Sequence, residues 1–241
     1  MKSVFTEISF RFLLLSAFLS LPATSHAQMF SADSDKSKAQ NLQPPSRGLY
    51  FGPSFTEFTS SSGSGDLSFD GQLATIGFSS SGLTVEGNFG NSSWNPQEVS
   101  LFHVGAELGG GIRLLRSGSF ALVAPAGISS DYLRASKDGS ERDFQQSSFR
   151  VAGGLGFSIF TDRLRIQVAA KPSIGFSYSQ GSLFGGNVRG VEADVLLGSV
   201  RVHSRFSLST FYSYERLSYD IDGVIYDYEL DSHRAGLMVL F

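Results

Sequence analysis

The sequence predicts an all-β fold: a closed, antiparallel, up-and-down transmembrane β-barrel of ten strands, with eight and twelve as the alternative counts. Three observations predict it. From Gly48 to Phe241 the chain repeats segments of roughly ten or more residues that alternate in hydrophobicity and are split by turn residues, the pattern of membrane-spanning strands. The connections between these segments are alternately short and long. Charged residues make up only 17% of the chain, where a soluble domain carries about 25%, so much of the surface does not face water.

Residues 1–27 read as a secretory signal peptide. Lys2 and Arg11 give a positive front, Phe10 to Leu21 is mostly apolar, and Ser25-His26-Ala27 places small residues before a cut after Ala27. The apolar run is too short to span a bilayer as a helix. The next residue is Gln28 rather than Cys, so no lipid-anchored N-terminus is expected. Residues 28–47 are polar, contain Pro44-Pro45, and read as a flexible lead-in. The barrel is expected over 48–241.

The strands fall at about 48–58, 68–78, 82–90, 100–115, 119–135, 147–160, 164–178, 187–200, 204–218 and 225–241. Ser79–Gly82, Arg116–Ser119, Thr161–Arg163 and Arg201–Arg205 are short connections. Thr59–Leu67, Gly90–Val99, Ala135–Gln146, Ser179–Gly186 and Ser218–Val224 are longer and polar. An even count puts both chain ends at the short-turn end. Asp138-Gly139 and Asp222-Gly223 favour type I′ turns, so the flanking strands are expected to continue as hairpins beyond the lipid. In the last hairpin the alternation breaks: Tyr226 and Tyr228 share parity with Arg234, not Leu237. Either a bulge near Ser232 or a position outside the lipid accounts for this.

One parity of most segments is apolar: Phe102, Val104, Leu108 and Ile112 in one, Phe149, Val151, Leu155 and Phe157 in another. The opposite parity is small or charged, with Glu86, Glu107, Arg113, Arg150, Arg165, Lys171, Glu192, Asp194, Glu215 and Arg234. A soluble sandwich would turn the apolar face inward. Gly105, Gly109, Gly111, Gly154 and Gly156 on the charged parity suit a crowded interior instead. A charge facing lipid at mid-depth costs roughly 2–4 kcal/mol, so the charges are expected inside, paired across the lumen. Tyr132, Tyr178, Tyr212, Tyr214 and Trp94 lie near the long loops, and Phe78, Phe120, Phe160, Phe206 and Phe241 near the short turns, as two interfacial girdles would require.

Other chemistry finds little support. Gly109-Gly110-Gly111 and Gly153-Gly154-x-Gly156 are not followed by Lys-Ser/Thr at a strand-to-helix junction, so they are not phosphate loops. With no Cys there is no thiolate nucleophile or Cys-bound metal. The net charge of −3 gives no footprint for nucleic acid. His103 and Glu107 share a face with Arg150 and Arg165, as a relay or, more simply, as an interior salt-bridge network. Asp220, Asp222, Asp227, Glu229, Asp231 and His233 gather near the last loop without the spacing of a calcium loop. The pair Asp231 and His233 could activate water, but nothing completes a catalytic site. No catalytic residue, metal or cofactor is expected.

The chain stops inside an apolar strand, His233 to Phe241, with Ala235, Leu237, Val239 and Phe241 on one face. This resembles the C-terminal signature of small bacterial outer-membrane β-barrel proteins of the OmpA/OmpX-like superfamily, with a departure at His233. The resemblance implies that the last strand closes the barrel and that Leu237, Val239 and Phe241 form an insertion signal read by the barrel-assembly machinery. It also implies a bacterial outer-membrane location, with both termini periplasmic, long loops extracellular, and outer-membrane lipid and lipopolysaccharide as surroundings. The expected function is non-enzymatic: a monomeric, charge-paired, plugged barrel with a structural or surface-interaction role in the envelope. A narrow channel for small or amphipathic solutes is the alternative, and an outer-membrane hydrolase the third.

Overall fold

The alternating segments fold into strands, several of them longer than a lipid core needs. A computed structural model describes residues 47–60, 67–80, 82–91, 99–137, 143–161, 165–179, 185–203, 206–221 and 227–241. The predicted signal peptide, the lead-in up to residue 46, Trp94 and the Asp138-Gly139 and Asp222-Gly223 turns lie outside the described residues, whereas Arg47 already belongs to the first strand. The strands are β1 (Arg47–Ser60), β2 (Phe69–Ser80), β3 (Leu83–Asn91), β4 (Val99–Ser117), β5 (Phe120–Lys137), β6 (Phe144–Gly153), β7 (Leu155–Phe160), β8 (Arg165–Tyr178), β9 (Gly186–His203), β10 (Phe206–Ile221) and β11 (Tyr228–Leu240). Every neighbour is antiparallel, and the order closes on itself through the β1–β11 and β4–β5 pairings.

Eleven segments make ten staves. β6 and β7 are one strand interrupted at Gly154: both pair with β5 on one side and β8 on the other. The pairing Ala126↔Gly153 before the break and Val123↔Gly156 after it keep one register. Gly154 still donates its N–H to the Pro125 carbonyl at 2.9 Å. A Cβ there would strike the Ala170 carbonyl of β8, so only glycine lets the two backbones pass this closely.

Two short turns use glycine for its left-handed conformation: Gly82 at φ 86° between β2 and β3, and Gly118 at φ 55° between β4 and β5. The closing seam runs from Gly48↔Leu240 to Ser60↔Tyr228 without a shift. Phe241 extends it by donating its N–H to the Arg47 carbonyl at 2.9 Å. Of the accounts offered for the broken alternation, the bulge near Ser232 does not form. Irregularities lie instead at Arg113/Leu115 in β4 and opposite Leu208/Thr210 in β10, beside the positive-φ Gly198.

The seam has its own glycine constraint. A Cβ on Gly236 would meet the Phe51 carbonyl and, at 2.9 Å, the Cα of Gly52; one on Gly52 would meet the Ala235 carbonyl. Gly236→Val is therefore expected to obstruct closure of the last strand. The check is heat-modifiable electrophoresis. The parent should migrate differently before and after boiling, because a closed sheet has no edge from which to unravel. Most of the Gly236→Val protein should migrate as unfolded chain in both lanes.

What the strands enclose changes along their length. Toward the turn end the outer face is apolar: Ile174 is 69% exposed and Leu155 61%. Phe51, Ile76, Leu108, Val151 and Phe206 belong to the same band. Such a continuous apolar surface would not persist in water. Toward the loop end the polarity inverts. In β1 the outward residues pass from Leu49, Phe51 and Phe55 to Glu57, while the inward ones pass from Tyr50 and Ser54 to Phe58. In β10 the outward side runs from Phe206 and Tyr212 to Arg216 and Asp220, the inward side from Ser213 and Glu215 to Leu217, Tyr219 and Ile221. A strand needs roughly 9–11 residues to cross the hydrocarbon, whereas β1 has 14, β10 has 16 and β4 has 19. The surplus is organised as a water-soluble barrel would be. That inversion, with no bulge, is why Tyr228 shares parity with Arg234.

Candidate functional site

The interior is layered. At the loop end lies an apolar cap of buried side chains: Phe58, Leu67, Phe69, Leu73, Val99, Leu101, Leu133, Ala135, Phe144, Val188, Leu217, Tyr219, Ile221, Tyr228 and Leu230. Its centre is aromatic. Phe58 stacks on Tyr228 with 4.8 Å between ring centroids, and Phe144 packs against both at 5.0 and 4.9 Å and against Tyr219 at 5.5 Å. Aromatic pairs at these separations add about 0.5–1.5 kcal/mol each beyond burial.

One or two inward positions toward the turn end, the same strands carry a charged belt. In β5 Asp131 precedes Leu133, in β10 Glu215 precedes Leu217, and in β11 Arg234 follows Ser232 and Leu230. Arg150 of β6 is its centre. Its Nη2 lies 2.8 Å from Asp131 and 3.0 Å from Glu215, its Nε donates to Asp131 at 3.0 Å, and its Nη1 donates to Ser173 at 3.3 Å. Arg234 spans the lumen from β11: it pairs with Glu86 of β3, lies 3.4 Å from Glu215, and donates to Ser213 at 3.1 Å. Glu86 also accepts from Tyr50 at 2.9 Å and from Asn88 at 2.8 Å. Hydroxyls of Ser54, Thr56 and Ser232 bond among themselves at 2.8–3.1 Å beside it. His103 Nε2 lies 3.7 Å from Asp131 Oδ1, beyond hydrogen-bond reach.

A second group surrounds Lys171 of β8. Its Nζ is 3.0 Å from Glu107, 3.0 Å from Glu192 and 3.7 Å from Asp194. Asp194 also accepts from Ser213 at 2.8 Å, which joins the two groups. Below the belt is a cavity of about 370 Å³.

The sequence-predicted charges are therefore only partly gathered. Glu86, Glu107, Arg150, Lys171, Glu192, Asp194, Glu215 and Arg234 all line this cavity. Arg113 does not: it sits on the turn-end part of β4, where both faces of the strand are exposed. Arg165 lies near the turn end of β8, donating to Gln167 at 2.9 Å with its guanidinium 5.4 Å from the centre of the Phe160 ring. Phe160 thus faces inward and is no part of an outer girdle. Phe120, Phe206 and Phe241 at the turn end, and Tyr178 and Tyr212 toward the loops, are exposed on the outside.

Sequence reasoning missed Asp131, Tyr50 and the cap. Asp131 shares parity with Leu133 and Ala135, so it stands at the border of an apolar run within its own strand. The glycines on the charged parity do mark crowding: a Cβ on Gly105 would come within 2.6 Å of Asp131 Oδ1, and one on Gly127 within 2.7 Å of Glu107 Oε1.

The acid–histidine pair points outward. Asp231 accepts from Tyr214 at 2.6 Å and lies 3.8 Å from Arg216, while His233 Nδ1 is 2.8 Å from the Tyr212 hydroxyl. Arg216 pairs with Glu229 at 2.7 Å. These residues form a ladder across β10 and β11.

No family model matches the chain, and no curated protein matches it. The fold is similar to that of the outer membrane protease OmpT from Escherichia coli, with TM-score 0.41 and 12% identity over 83% of this chain and 98% of that one. It is also similar to Ail, the attachment invasion locus protein of Yersinia pestis, solved with the heparin analogue sucrose octasulfate. There the TM-score is 0.30, with 11% identity over 81% of this chain and 97% of that one. Overlaps this loose carry no functional argument.

Proposed function

We propose that this chain is a non-enzymatic, integral barrel of the bacterial outer membrane, closed to solutes, that holds a rigid polar platform above the lipid. The inversion of polarity along the strands carries this reading. Apolar residues face out where small, polar and charged ones face in, and charged ones face out where Phe58, Phe144 and Tyr228 face in. Only the first part suits lipid. The ladder of Arg216, Glu229 and Asp231, with the Arg134–Asp143 pair at 2.8 Å, then stands on the aqueous side. The termini belong on the periplasmic side, and the long loops outside, among lipopolysaccharide. Leu237, Val239 and Phe241 on the closing strand are then placed to serve as the signal for the assembly machinery. A narrow channel has one observation in its favour, the 370 Å³ cavity, but the cap stands between it and the loop end.

The chain has no Cys, so introduced cysteines report topology cleanly. Asp220→Cys should react with an impermeant maleimide on intact cells. Ser119→Cys, in the β4–β5 turn, should react only after lysis. The reverse pattern would overturn the placement, and labelling of both in intact cells would remove the periplasmic side.

A further inference from the structure

We infer that the cavity beneath the charged belt is a binding site for a small organic cation, entered from the turn end. Six carboxylates line it against three permanent cations, Arg150, Lys171 and Arg234. Arg150 and Arg234 meet the buried Asp131, Glu215 and Glu86, whereas Glu107, Glu192 and Asp194 are 25%, 25% and 39% exposed with Lys171 alone among them. The surplus negative charge therefore faces the open cavity and draws a cation to it. The Lys171 ammonium already shows what these walls accept, with carboxylates on three sides of it.

A second observation points the same way. The side chain of His103 is 6% exposed, lines the cavity, and its Nε2 has no hydrogen-bond partner. Asp131 Oδ1 faces it at 3.7 Å. With the imidazole neutral and its proton on Nδ1, Nε2 and Asp131 Oδ1 are two acceptors at a spacing that lets them share one N–H-rich nitrogen placed between them, with normal hydrogen bonds to each.

The remaining wall selects the ligand class. Tyr50 and Phe211 line the cavity as an edge-to-face pair with centroids 5.2 Å apart, beside Leu196 and Met238. Aromatic faces attract cationic nitrogen and cover apolar carbon. Among the described residues no group of acidic and histidine side chains is spaced to hold a metal ion. An ammonium or amidinium with an apolar body satisfies both walls; a bare metal ion satisfies only one. Entry comes from the turn end because Leu196, Met238, Ser79 and Thr84 near that end belong to the lining, whereas the apolar cap closes the loop end.

Calorimetric titration of the full barrel in nonionic micelles, blanked against empty micelles, tests this. Phenethylammonium chloride should bind saturably at one site with a sub-millimolar Kd. Phenylacetate, of similar size and opposite charge, should bind at least tenfold more weakly. Glu192→Gln and, independently, Asp194→Asn should each weaken phenethylammonium about tenfold, whereas Asp70→Asn on the outer face at the loop end should not change it. No saturable binding to the unmodified protein, or equal binding of the anion, overturns the inference without any variant. Unchanged affinity in whichever carboxylate variant folds, judged by circular dichroism, overturns it as well. Binding in micelles is read separately from conductance and topology, so the site and the proposed function stand or fall independently.

Discussion

Arg150→Ala should destabilise the barrel by about 3–5 kcal/mol, the range for removing one partner of a buried ion pair. The guanidinium makes the bonds that hold Asp131 of β5 and Glu215 of β10 in place across the lumen. Without it the two carboxylates face each other with only Arg234 nearby, and the fork to Ser173 is lost. The side chain is 7% exposed, so water does not screen the loss. The urea midpoint in micelles, followed by circular dichroism, is the measurement. Arg150→Lys should recover only part of the stability, because an ammonium cannot bridge both acids with a planar fork. Adding Asp131→Asn to Arg150→Ala should cost less than the two single changes summed, since it removes the orphaned charge. A midpoint unchanged by Arg150→Ala would show that the belt does not stabilise the fold.

Phe144→Ala should cost about as much, roughly 3–5 kcal/mol, by a different route. Phe144 is fully buried in contact with Phe58, Tyr219 and Tyr228, and nothing nearby can collapse into the space without breaking those contacts. The lost area and the residual cavity both count. The damage should stay at the loop end. Amide exchange in β1, β6, β10 and β11 beyond the belt should accelerate, whereas the turn-end parts of the same strands should keep their protection. Uniform acceleration along the strands would show that cap and belt unfold as one unit.

The strand pattern was legible because period-2 alternation reports which face meets an apolar phase, whatever that phase is. Ten staves and their antiparallel order followed from that pattern and from the alternating connection lengths, whereas closure by the last strand was what the C-terminal resemblance implied. Alternation does not say where the apolar phase changes from lipid outside to core inside. At Leu133, Leu217 and Leu230 the inward parity turns apolar while the strand runs on unbroken. A reader of one strand sees there only a blurred pattern or a bulge. Partners within the belt were hidden for a second reason. Lys171, rather than Arg165, meets Glu107 because the stagger of a barrel decides which inward residues share a height, and stagger is set by pairings many residues apart. Arg113 and Arg165 have the right parity at the wrong height.

Single-channel recording in planar bilayers tests the layered, closed interior most directly. The unmodified barrel should show no stable openings, because the cap of Phe58, Phe144, Tyr219 and Tyr228 and the side chains of Arg150 and Arg234 occupy the lumen at successive levels. A large, steady conductance from the unmodified protein would contradict the account.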